Sequence, residues 1–155
     1  MDKTNEEASF MLANIHLFEN KDNDAIEIFR NLIKEQPENY RALAKLVHLF
    51  RRVGKLDDAK EFIERAEQHA NRKSDAGLCY VRGLFKRFSG DPKGALKELN
   101  MARFDGFYGI DSLNLMIEIY FNPPDDIMYS NQDKGPTYET SGENLKAAES
   151  LIEKL

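Results

Sequence analysis

The sequence predicts an all-α protein built from stacked helix hairpins, and three observations carry that prediction. Ala25, Ala59 and Ala95 recur at intervals of 34 and 36 residues, and each is followed four positions later by a bulky apolar residue, Phe29, Ile63 and Leu99. A small residue held at one helical position, with a large one a turn further on, lets neighbouring helices approach closely while the large side chain plugs the next hairpin. Apolar residues between these anchors follow the three-to-four spacing of one helix face. No segment alternates apolar and polar residues between turn signals, which removes the sheet alternatives.

Frames anchored on the alanines place repeats at 6–39, 40–73 and 76–109, with a fourth over 110–155 interrupted by a loop at 122–142. The columns agree position by position. A small site at position 8 holds Ala13, Val47 and Gly83, the turn at position 15 holds Asn20, Gly54 and Gly90, and position 27 holds Leu32, Ala66 and Ala102. The closing proline occurs once, as Pro37, and two extra residues near Lys73 to Asp75 take up slack where it is missing. This pattern resembles the tetratricopeptide repeat. The expected architecture is a tetratricopeptide-repeat helix-hairpin superhelix, an α-solenoid of about four repeats forming a single array over 1–155.

Taken in order, the elements have their own local signals. In the first helix Met11, Leu12, Ile15 and Phe18 form a stripe at helical spacing, and Leu43, Leu46, Val47 and Phe50 do the same in the third. The second helix of each hairpin opens on aspartates: Asp22 to Asp24 before Ala25, Asp57 and Asp58 before Ala59, and Asp91 with Pro92 before Ala95. An aspartate there caps free backbone N–H groups, and proline fits the first helical position because its missing N–H had no partner. The fourth unit starts a helix from Ile110 to about Phe121, with Leu113, Met116, Ile117 and Tyr120 at its apolar sites. Asn122-Pro123-Pro124 stops it. Helical periodicity resumes over Glu143 to Leu155, with Ala148 and Ile152 at the alanine and bulky positions. The spacing from Ala95 to Ala148 is 53 residues, one period plus a 19-residue insertion. A loop of that length is either loosely packed or a partner-binding element, with Tyr129 and Tyr138 as its docking candidates.

Composition narrows the function classes. A 155-residue chain with 41% hydrophobic content can bury one continuous core. Its net charge of −5, with both signs interspersed, leaves no basic face to displace counterions from nucleic acid. No apolar run reaches the roughly 20 residues that span a bilayer, and residues 1–7 are polar, without the apolar centre of a signal peptide. The chain reads as soluble and intracellular, with no direct membrane insertion. Cys79, the single cysteine, sits inside an apolar stripe and reads as a buried structural thiol.

The residues that would carry catalysis are missing. His16, His48 and His69 are far apart and pair with no other ligand at metal-site spacing. Asp22-Asn23-Asp24 and Asp125-Asp126 lack the glycine and downstream glutamate of a calcium loop. No glycine loop cradles a phosphate, and no serine or cysteine sits in a nucleophile motif. The expectation is a non-enzyme without cofactor or metal.

A repeat array works through the surface lined by the first helix of each hairpin, at positions 2, 5, 9 and 12. Here those positions give candidate partner-binding residues Phe10, Asn14, Leu17, Arg41, His48, Arg51, Tyr80, Leu84 and Arg87, flanked by Glu7, Ala44, Gly77, Asp111, Asn114, Glu118 and Phe121. Phe10, Leu17, Tyr80 and Leu84 are suited to an apolar side chain, and Arg41, Arg51 and Arg87 to the carboxylates of a peptide. The same residues equally suit packing against neighbouring helices of a longer superhelix. Asn14 is the one match to the lysine, asparagine and arginine positions with which related arrays clamp a chaperone's C-terminal carboxylate, which argues against that function.

The second half carries a more specific resemblance. Gly77-Leu78-Cys79-Tyr80, Gly83-Leu84, Gly90-Asp91-Pro92, Ala95-Leu96-Lys97, Asn100-Met101-Ala102-Arg103 and Met116-Ile117-Glu118-Ile119 with Asn122-Pro123 resemble an interior stretch of the tetratricopeptide repeat protein 21 family. Ala147-Ala148-Glu149-Ser150-Leu151 fits the helix after that family's variable loop. The resemblance implies a subunit of intraflagellar transport complex A, in the cytoplasm and in the cilium or flagellum and its basal body, acting in retrograde transport. It carries over no catalytic residue and implies other complex A subunits as partners. Two readings follow: a non-catalytic scaffold segment of that complex, or an adaptor that binds a short peptide motif in its groove. Leu155 stands at an interhelix packing site with no polar helix after it, so the sequence is also expected to be a fragment that self-associates through that end.

Overall fold

The computed structural model describes residues 3–121 and 146–153, and these are helical with no strand among them. Seven α-helices run in order: α1 Lys3–Phe18, α2 Asp22–Glu35, α3 Tyr40–Arg52, α4 Ala59–His69, α5 Ala76–Phe88, α6 Pro92–Ala102 and α7 Gly109–Phe121. A 3-10 turn at Leu56–Asp58 precedes α4, and a short helical segment follows at 146–152. Pairs α1/α2, α3/α4 and α5/α6 pack as hairpins. Contacts of α2 with α3, α3 with α5, α4 with α5 and α6 with α7 join them into one stack.

The repeat columns explain why. Ala25, Ala59 and Ala95 are each fully buried, as are Phe29 and Leu99 below them, with Ile63 nearly so. Gly83 lies so close to α6 that a Cβ there would meet Leu99 Cγ at 2.7 Å. All three position-15 residues turn the chain through left-handed backbone: Asn20 at φ 59°, Gly54 at 72° and Gly90 at 86°. Asparagine and glycine are the residues that tolerate this region. Asp91 caps α6 by accepting from Gly94 N at 2.9 Å, with Pro92 in the first turn.

Three expectations require correction. Met11, Leu12, Ile15 and Phe18 are not the core stripe of α1; they are 65%, 48%, 52% and 90% exposed, and the helix packs instead through Phe10, Ala13 and Leu17. Alpha-helix α1 is apolar on two sides, and α2 covers only one. The aspartates before α2 and α4 are not caps, because neither helix has a side-chain cap bond. Two of the carboxylates go to the neighbouring hairpin, Asp22 Oδ2 to Arg52 Nε at 3.1 Å and Asp58 Oδ2 to Arg30 Nη2 at 3.8 Å, while Asp24 and Asp57 pair with His16 and Lys60 of their own hairpins. In the last helical segment Ala148 is buried, but its partner inside is Leu151 and not Ile152, which is 49% exposed. The loop at 122–142, with Tyr129 and Tyr138, and the chain end at Leu155 lie outside the described residues.

Candidate functional site

The first helices bring the predicted groove residues together in three seams. At the seam of α1 and α3, Arg41 Nη1 meets Glu7 Oε1 at 3.2 Å, and its guanidinium lies 4.4 Å from the Phe10 ring centre. Phe10 is itself buried and packs edge-on against Phe29, with centroids 5.3 Å apart. At the seam of α3 and α5, Arg51 lies 4.2 Å from the centre of the Phe88 ring, and His48 contacts the same ring edge-on at 5.3 Å. Stacking on an aromatic face holds a guanidinium while its edge stays available to an anion. Desolvation at this seam lowers the His48 pKa, and the charges of Lys45 and Arg51 lower it further.

The seam of α5 and α7 has the opposite sign. Tyr80 stacks on Tyr108 at 5.6 Å. Burial, followed by the charges of Asp111 and Glu118 and the neighbouring Tyr108, pushes the Tyr80 phenol up to about 12. Asn14 is exposed and Leu17 half-buried on α1; Leu84 is 1% exposed and belongs to the core. Phe10 and Leu84 therefore hold the helices together and do not open to a ligand. Arg87 is half-buried and has an interaction of its own. Sequence reasoning missed Phe88 and Tyr108, which complete two of the seams. Phe88 is one turn beyond Leu84 on the same helix, and the Phe107-Tyr108 pair just before α7 was the available signal.

A polar cluster between hairpins was also missed. Arg82 of α5 binds Glu98 of α6 through Nε at 3.0 Å and Nη2 at 2.8 Å, Glu67 of α4 through Nη1 at 3.3 Å, and the Lys73 carbonyl at 2.9 Å. Lys86 Nζ takes the other Glu98 oxygen at 2.8 Å. Cys79 beside it is buried, and burial raises its thiol pKa, so it stays protonated and unreactive near neutral pH. Among the described residues no group of His, Cys, Asp or Glu is placed to hold a metal ion, and no helix is long and apolar enough to cross a membrane.

Stacked hairpins joined by side-chain seams define a helical repeat protein of the solenoid class. The family described as the TT21 fifth ARM repeats domain matches residues 6–121. Similar relatives include tetratricopeptide repeat protein 21B of Xenopus laevis, 34% identical over 124 residues covering 79% of this chain and 10% of the relative. Human tetratricopeptide repeat protein 21A is 31% identical over 99% of this chain and 12% of its own length, and human 21B is 42% identical over 52% of this chain and 6% of its own. The chain belongs to the tetratricopeptide repeat protein 21 family. It spans about a tenth of the length of these relatives.

Proposed function

We propose that this chain is a non-catalytic protein–protein interaction segment of an intraflagellar transport complex A subunit, serving retrograde transport in the cilium and working in the cytoplasm, the cilium and the basal body. Its partners on this reading are other subunits of that complex. Family membership supports the assignment, and one structural observation carries the scaffold role. In the repeat register, Leu12 and Ile15 of α1 correspond to Leu46 and Leu49 of α3 and to Met116 and Ile119 of α7. The α3 and α7 residues are all buried, each helix packing on the second helix of the hairpin before it, whereas Leu12 and Ile15 are about half exposed. The outer face of α1 is thus shaped to take a further helix hairpin, the means by which an array docks into a larger assembly. The exposed or half-buried groove residues, Asn14, Leu17, Arg41, His48, Arg51, Tyr80 and Arg87, are its proposed lateral contact line.

Affinity purification of the full-length protein that carries this sequence, from ciliated cells, tests the reading. Recovery of the other complex A subunits in fixed proportion is the expected result. Their absence, with a single short-motif protein enriched instead, would replace the scaffold with a groove adaptor.

A further inference from the structure

A second surface adjoins the groove at Arg41, at the edge of the stack where the end of α2, the start of α3, the end of α4 and the approach to α7 meet. A cleft of about 680 Å³ opens there, and Tyr40, Phe107 and Tyr108 are its aromatic lining residues. These rings are held in place. Tyr40 and Tyr108 both lie against Gly77 of α5, where a Cβ would overlap Tyr40 and come within 2.9 Å of Tyr108 Cε2. Phe107 packs edge-on against Tyr108 with centroids 4.8 Å apart, yet is 66% exposed. The Asp105 carboxylate fixes the turn by accepting from the backbone N–H groups of Phe107 and Tyr108, both at 2.9 Å. The cleft thus presents one exposed ring, Phe107, on a fixed base formed by the half-buried Tyr108 and the buried Tyr40.

The same cleft has an acidic lining. Glu6, Glu35 and Glu38 line it, and neither Glu35 nor Glu38 has an ion pair or side-chain hydrogen bond among the described residues. Arg41 also lines the cleft, but its charge is matched by Glu7 at 3.2 Å and its face covers Phe10. His69 is occupied at Nδ1, which donates to the Arg65 carbonyl at 2.8 Å. The negative C-terminal ends of α2 and α4 come to this edge, and the positive start of α3 is capped by Asn39, whose Oδ1 accepts from Ala42 N at 3.0 Å. Two unpaired carboxylates, Glu35 and Glu38, therefore share the cleft lining with fixed aromatic rings.

We propose that this cleft receives a lysine or arginine side chain from an extended basic segment of a partner protein, its cationic group over Phe107 and Tyr108 and its N–H donors on Glu35 and Glu38. Aromatic faces attract cations through their quadrupole, and two free carboxylates supply charge-assisted acceptors. An acidic segment meets repulsion here, and an apolar one leaves the carboxylates to be desolvated without a partner. The inference is independent of the ciliary assignment, since it rests on the cleft alone.

The test is an amide-resolved NMR titration of the 155-residue chain with two synthetic heptapeptides, one carrying two arginines and one with glutamates in their place. The arginine peptide is expected to shift the signals of Glu38, Tyr40, Phe107 and Tyr108, and the glutamate peptide to shift none. Glu35→Gln with Glu38→Gln, and separately Phe107→Ala, are each expected to weaken binding at least fivefold; all three residues are exposed, so the fold is retained and circular dichroism verifies it. No shift at millimolar arginine peptide would overturn the proposal. So would binding that the glutamate changes weaken but Phe107→Ala leaves untouched, since that pattern is diffuse surface attraction and not a cleft.

Discussion

Arg82 of α5 gives two hydrogen bonds to a single oxygen of Glu98 on α6, from Nε at 3.0 Å and Nη2 at 2.8 Å. In the repeat register these two positions hold Leu46 and Phe62 in the hairpin before, both buried. The third hairpin has replaced an apolar pair by a charged one, and Glu67 of α4 joins it across the hairpin boundary at 3.3 Å.

That exchange makes a double-substitution prediction. Glu98→Leu alone strands the Arg82 charge, whose side chain is only 17% exposed, and is expected to cost about 3 kcal/mol, near the low end for breaking a buried pair because Glu67 and the Lys73 carbonyl remain. Adding Arg82→Leu restores the apolar pairing of the second hairpin and is expected to recover most of the loss. Urea denaturation of the two variants decides it. A double variant no more stable than Glu98→Leu would show that the pair does not substitute for apolar packing.

The exposed side of α1 predicts an asymmetry between register partners. Leu49→Ala removes a buried side chain and is expected to destabilise by about 2 to 4 kcal/mol. Ile15→Ala, at the matching position of the first hairpin, should change stability by less than about 0.5 kcal/mol in the isolated chain. Thermal unfolding of both measures the difference. Equal losses would mean that the face of α1 is already covered in solution, and a concentration-dependent midpoint would identify a second copy as the cover.

What the sequence made legible was local chemistry. The left-handed turns at Asn20, Gly54 and Gly90 and the Asp91 cap depend only on residues within a turn of themselves, and all were readable. Choices between two plausible partners were not. Asp22 and Asp58 look like caps until the fold brings Arg52 and Arg30 within ion-pair reach. Periodicity showed that α1 is apolar, but Phe10 and Ala13 lie on one face, Leu12 and Ile15 on another, and nothing local says which meets α2. The groove positions named Tyr80 and Arg51, while the rings that hold them, Tyr108 and Phe88, come from outside those positions.

Ser112 offers a stabilising change. It is fully buried at the start of α7, and its Oγ has no hydrogen-bond partner among the described residues. The matching residue in the second hairpin is Ala42, also fully buried. Ser112→Ala removes an unsatisfied hydroxyl without opening a large cavity and is expected to raise stability by about 1 kcal/mol. A lower urea midpoint in the variant would show that the hydroxyl has found a partner in solution.

The tyrosines of the α3, α5 and α7 junction predict a loss of stability in strong base. The ordinary phenol value is 10.0; Tyr40 is pushed up to about 12 by burial and then by Asp75 and Glu38, and Tyr80 to about 12 by burial and then by Asp111 and Glu118. Tyr108 moves in the same direction, through burial and the charges of Asp75 and Asp105. A raised phenol pKa means that the unfolded chain releases its proton first. Between pH 10 and 12 the folded state holds more protons than the unfolded one, so stability is complete below pH 10 and falls as pH rises toward 12. The near-ultraviolet absorbance of phenolate should show these tyrosines ionising later than the exposed ones, and the urea midpoint should decline over the same window. Tyr80→Phe, which keeps the stacking on Tyr108 but removes the titrating group, should flatten that decline. An unchanged slope would place the pH dependence on other groups.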